Sequence, residues 1–245
     1  MKILRISKKL LFFSIIVLDL FVCIVNAQTE SEKKLTWDYP LRYGMPGWET
    51  LKTYEERLNA YNIPVEIIKN ISTEELINVC LAYPNFKVIH AYNDRRTGLN
   101  KMMRHFNGFT ELFARNDAAK ELIKLYSKVD PLAIGDDWTL LQQGRYGFYI
   151  NYIELLLAHE MIIEKLDEQD THVLLNEVAA KYQLKKQRSD VYALWGLSPT
   201  AGLCLSILDK SGEFSRNNDK LLLLKQTFMS DEIAVLDSIV ESIKK

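Results

Sequence analysis

The sequence predicts an all-α fold, an irregular multi-helix bundle or an array of helical hairpins, preceded by an extended aromatic N-terminal segment. Three observations carry this. Apolar residues recur at helical spacing over most of residues 48–245. The alternating, β-branched runs that mark strands are nearly absent. Only 10 glycines and 6 prolines punctuate 245 residues that are 48% hydrophobic, a folding composition rather than a low-complexity one.

The N-terminus comes first. Lys2, Arg5, Lys8 and Lys9 precede an apolar run over residues 10–25, and Val25-Asn26-Ala27 follows. Residues 1–27 therefore read as a signal peptide cut after Ala27. Two other readings compete. An uncleaved anchor would rest on a run that contains Asp19 and falls short of the roughly 20 apolar residues of a span. A lipoprotein through Cys23 would place Phe21 and Val22 where small residues belong. Cleavage leaves 27 basic and 31 acidic residues, net charge −4. No bulk positive field then favours nucleic acid. The expected address is export to the periplasm or cell surface, with no transmembrane segment left in the processed chain.

Residues 28–47 form the second unit, an extended segment. Trp37, Tyr39, Tyr43 and Trp48 stand among Pro40 and Pro46, so this stretch is not helical before Pro46. These rings are candidate ligand-binding residues, able to stack on a sugar or dock on a partner; the other reading buries them as a strap across the helical body.

Residues 48–245 carry no Gly/Ser/Pro-rich linker and form a single domain. Trp48, Leu51, Tyr54, Leu58 and Tyr61 make the first helical stripe, ended by Asn62-Ile63-Pro64. Ser72 caps the next helix, with Glu75 placed to reach back, and Pro84 lies past its end. Residues 86–92 read as helix, because a lone strand has no partner. Leu99, Met102, Met103 and Phe106 follow, then a break at Asn107-Gly108. Asn116-Asp117 opens a helix striped by Ala119, Leu122, Ile123 and Tyr126. Asp136-Asp137 reads as the cap of the helix over residues 146–158, which is apolar nearly all round and is expected to run through the core. Asp170 reads as the cap for Leu174, Leu175, Val178, Ala179 and Tyr182. Ser198-Pro199 reads as a helix start, and Ile233, Leu236, Val240 and Ile243 stripe the last helix.

Chemistry-bearing residues are few. His159-Glu160 begins like a zinc-protease helix, but position 163 is Ile, so no metal is expected there. The run Asp209 to Asp219 alternates oxygen-bearing residues as a calcium loop does, yet its glycine is fourth and Lys220 stands twelfth. Cys80 and Cys204 are the disulfide candidates of the processed chain, although both positions equally suit buried thiols. Glu154 is a lone carboxylate in an apolar stretch, and needs a partner, Arg145 or Lys181, or a raised pKa. It is a candidate ligand-binding residue and the centre of the one enzymatic alternative, a glycan hydrolase or lyase with a dispersed site including Tyr146, Tyr149 and Arg145. No nucleophile elbow, phosphate loop or dinucleotide fingerprint occurs, so no catalytic residue and no cofactor are assigned.

Trp37-Asp38-Tyr39-Pro40, Ser72-Thr73-Glu74-Glu75-Leu76, Phe106-Asn107-Gly108 and Asn116-Asp117-Ala118 together resemble an uncharacterised group of exported, all-helical proteins from Bacteroidetes-type bacteria. The resemblance covers most of residues 37–245 and implies export and a helical fold. It carries no activity. Asp237-Ser238-Ile239 likewise resembles the short acceptor pattern for protein O-glycosylation in such bacteria. The expected function is non-enzymatic binding of a partner protein or envelope component.

Overall fold

The computed structural model describes residues 35–92, 94–212 and 219–243. The signal-peptide reading, Cys23 and the middle of the 209–219 loop lie outside the described residues. Among those described, all regular structure is helical.

The first stripe does not form one helix. A 3-10 turn at Trp48–Thr50 is followed by α1, Tyr54–Asn59, which starts where Thr53 and Glu56 close a capping box. Glu56 accepts from the backbone of Thr53 while Thr53 accepts from the backbone of Glu56, which is why the helix begins there and leaves Tyr54 exposed. Then come α2, Val65–Ile68, and α3, Thr73–Leu81, capped by Ser72 as expected. Phe86–Ala91 is a 3-10 helix.

After α4, Arg95–Met103, the chain does not break at Asn107-Gly108; α5, Asn107–Ala114, begins there. Asn107 exchanges both amide groups with the backbone of Ile63 and takes the side chain of Asn62 on its own N–H. That long-range lock fixes the start of α5. Helix α6, Ala118–Lys128, follows its predicted stripe.

The second half is built on longer helices. α7, Leu140–Leu157, is capped by a Thr139–Gln142 box, not by Asp136-Asp137. α8, Glu160–Ile163, is one turn. α9, Glu168–Gln187, is capped by Asp167 accepting from Asp170, not by Asp170 itself. α10, Ser189–Ser211, runs through Ser198-Pro199, and its interruption falls instead at Ala193 (φ 36°, ψ −156°). α11, Asp219–Thr227, and α12, Ile233–Ser242, complete the described chain.

α10, rather than α7, is the central helix. It packs against α7, α8, α9, α11 and α12, and is buried almost continuously from Gly196 to Leu208. Its length and composition would suit a membrane span, yet 83% of its most apolar window is enclosed by the protein, as in a core helix. Gly202 permits this: a Cβ there would stand 2.2 Å from the Phe228 ring. In α7, by contrast, the first turns face outward, with Leu140 86% and Leu141 64% exposed, and the buried residues gather in its second half.

Candidate functional site

Glu154 sits in a sealed polar cluster. α7 places Asn151 and Glu154 on one face, α9 contributes Lys185, α10 contributes Gly196 and Thr200, and α6 contributes Tyr126. The Lys185 ammonium donates to both oxygens of Glu154 at 2.9 and 2.8 Å, to the Gly196 carbonyl at 3.0 Å and to the Thr200 hydroxyl at 2.9 Å. Glu154 also accepts from the hydroxyls of Tyr126 at 2.9 Å and Thr200 at 2.8 Å. Burial pushes the Lys185 pKa down, opposed by the Glu154 charge, and pushes the Tyr126 hydroxyl up. Each of these buried polar groups has a hydrogen-bond partner, as burial of an ion pair requires.

The partner is neither of those expected. Lys181 turns to Glu177 at 2.7 Å and lays its ammonium 4.9 Å over the Tyr126 ring, and Arg145 is exposed. Lys185 was nevertheless findable. Positions 174, 178, 181, 182 and 185 share one helical stripe, so Lys185 continues the apolar face of α9.

A second buried cation supports the interruption of α10. Pro199 has no N–H, so the Trp195 carbonyl four residues earlier lacks its helical donor. Arg95 and Asn151 supply it, at 3.2 and 3.4 Å. The cluster around Glu154 and Lys185 thus ties α6, α7, α9 and both parts of α10. Both charged side chains are wholly shielded from solvent, and neither lines the clefts described next.

An open cleft does lie on the outer side of α7. Trp138, Gln142, Arg145, Tyr146 and Tyr149 line about 610 Å³ of space. Trp138 meets Tyr146 edge-on at 5.6 Å, and Tyr146 and Tyr149 lie near parallel with centroids 6.4 Å apart. The loop that presents Trp138 is held at three points. Its carbonyls at Asp130, Pro131 and Ile134 accept from Tyr146, Tyr192 and Arg188, at 2.9, 2.7 and 3.1 Å. The cleft is therefore set before any ligand arrives.

A more polar cleft of about 640 Å³ lies at Arg96, Glu160, Glu164, Ser206, Asp209, Lys210 and Lys225. Its cations are committed: Lys225 to Asp209, Lys210 to the carbonyl of Leu166, and Arg96 to the carbonyl of Lys225 and the Phe228 ring. His159, at its edge, caps α8 through Nδ1 and stacks on Phe113 at 4.0 Å. Burial lowers its pKa to about 4.

The N-terminal rings are dispersed. Tyr39 is buried, its hydroxyl donating to the Val79 carbonyl at 2.7 Å, its ring among Tyr61, Tyr83 and Phe106. Trp48 is buried against Tyr61, and Trp37 is half-buried, donating to the Tyr61 carbonyl. Tyr43 alone is widely exposed, at 86%. The structure thus gathers no ligand face from Trp37, Tyr39, Tyr43 and Trp48; apolar burial turns three of the four inward, as the strap reading has it. Nor is a disulfide made. Cys80 and Cys204 are free, buried thiols on α3 and α10, and burial pushes Cys204 up to about 12. The acceptor-like Ser238 is exposed on α12, while Asp237 beside it accepts from Tyr182 and Lys186.

In comparison with known proteins, no family model, no curated protein and no solved structure matches the chain.

Proposed function

We propose that this is an exported binding protein that holds an envelope saccharide, without transforming it, in the cleft of Trp138, Gln142, Arg145, Tyr146 and Tyr149. The observation that carries the reading is the pre-set group of rings on an open surface, pinned through Asp130, Pro131 and Ile134. Flat aromatic faces bury the apolar side of a sugar ring while its hydroxyls stay wet. The basic-then-apolar leader supports the envelope address. The enzymatic alternative finds less support, because Glu154 is enclosed by Lys185, Tyr126 and Thr200 and lines neither cleft.

The test is binding of the purified full chain to an array of envelope polysaccharides, beside Trp138→Ala and Tyr149→Ala. Each variant should bind about tenfold more weakly while keeping the parent's helical far-ultraviolet spectrum. Binding to nothing on the array, or binding that ignores both substitutions, would overturn the proposal.

A further inference from the structure

We infer that the saccharide is an acidic one, its carboxylate clamped by Arg145 while its ring lies against Trp138 and Tyr149. This rests on the binding reading above and names the ligand class of that same cleft.

The lining offers donors. Arg145 is exposed and forms no ion pair among the described residues. Gln142 uses its carbonyl oxygen to accept from the backbone and hydroxyl of Thr139, at 2.8 Å each, so the amide nitrogen is the end left for a ligand. Tyr146 has spent its proton on the Asp130 carbonyl. The hydroxyl oxygens of Tyr146 and Tyr149 remain able to accept, and the free donors of the lining are Arg145 and the Gln142 amide. A carboxylate needs only donors, and an unpaired guanidinium meets it bidentately.

The nearby carboxylates do not neutralise Arg145. Asp130 accepts from the backbone of Leu132 at 2.8 Å. Asp190 is held by Arg188 at 3.1 Å, and Asp136 lies in the field of the same arginine. Asp137 folds back over Gly135, where a Cβ would stand 2.5 Å from its oxygen. None of these four lines the cleft.

Calorimetric titration of the full chain tests this with oligosaccharides of polygalacturonate, alginate and hyaluronan, each beside its carboxyl-reduced form. At least one acidic form should bind about tenfold tighter than its reduced counterpart. Arg145→Gln should erase that ratio, and Arg145→Lys should keep part of it. Equal binding of acidic and reduced forms, or a ratio that survives Arg145→Gln, would overturn the inference and leave the binding reading standing if Trp138→Ala still weakens both. Binding of neither form of any of them would overturn the inference, and the polysaccharide array decides the binding reading separately.

Discussion

The ammonium of Lys185 lies 2.8 Å from one carboxylate oxygen of Glu154 and 2.9 Å from the other, with both side chains wholly shielded from solvent. Two charges so placed each lose their hydration, and their attraction offsets that cost only when the remaining hydrogen-bonding capacity is filled. Tyr126, Thr200 and the Gly196 carbonyl fill it here. The pair therefore acts as a registration point for four helices.

Removing one charge should be far worse than removing both. Lys185→Met leaves the Glu154 carboxylate uncompensated and should cost about 3–5 kcal/mol of unfolding free energy. Glu154→Leu combined with Lys185→Met should recover most of that loss, less the unmet hydroxyls of Tyr126 and Thr200. Urea denaturation of the two variants and the parent measures it. A single variant within about 1 kcal/mol of the parent would refute the registration role.

Ala193 makes a different prediction. Its φ of 36° and ψ of −156° are costly for any residue with a Cβ, and the surrounding bonds hold it there: Tyr192 to the Pro131 carbonyl on one side, Arg95 and Asn151 to Trp195 on the other. Ala193→Gly should stabilise the fold by about 1 kcal/mol net of the glycine's extra unfolded-state entropy. For a chain of this size that is a rise of about 2–4 °C in melting temperature, read by calorimetry. A lower melting temperature would mean that the backbone there is relaxed.

These two residues also mark what was legible beforehand. Helical period alone revealed the all-α class, and the stripe of α6 follows it residue by residue; on α12 Leu236 and Val240 are buried as expected, but Ile233 is exposed and Ile239 is buried in its place. The interruption at Ala193 lies six residues before Pro199, which frees the Trp195 carbonyl, and the long-range donors Arg95 and Asn151 take up that carbonyl. Caps were misplaced by a few residues where several oxygen-bearing side chains compete, as at Asp136-Asp137 and Thr139 or at Asp167 and Asp170; only the backbone decides which accepts. The start of α5 at Asn107 depends on Asn62 and Ile63, 45 and 44 residues earlier. Tyr146, Tyr149 and Arg145 were placed beside Glu154 by proximity along the chain. At about 100° per residue, Arg145 and Glu154 lie about 180° apart on α7, one facing the cleft and the other the core.

His159 should make the fold acid-sensitive. Its Nδ1 accepts from the backbone N–H of Met161 at 3.3 Å, and its ring lies flat on Phe113; protonation would turn that acceptor into a donor facing a donor. The folded pKa of about 4 lies below the ordinary 6.5, chiefly because burial disfavours the imidazolium. Between these values the unfolded chain holds the proton and the native chain does not, so stability is full above pH 6.5 and falls as pH drops toward 4. This one group should remove about 2 kcal/mol by pH 5. His159→Asn keeps a capping oxygen without a titrating ring. The variant should be less stable at pH 7, through loss of the Phe113 stack, yet should lose less stability between pH 7 and pH 5 than the parent. Urea midpoints at the two pH values decide it: parallel losses in both proteins would place the acid sensitivity elsewhere.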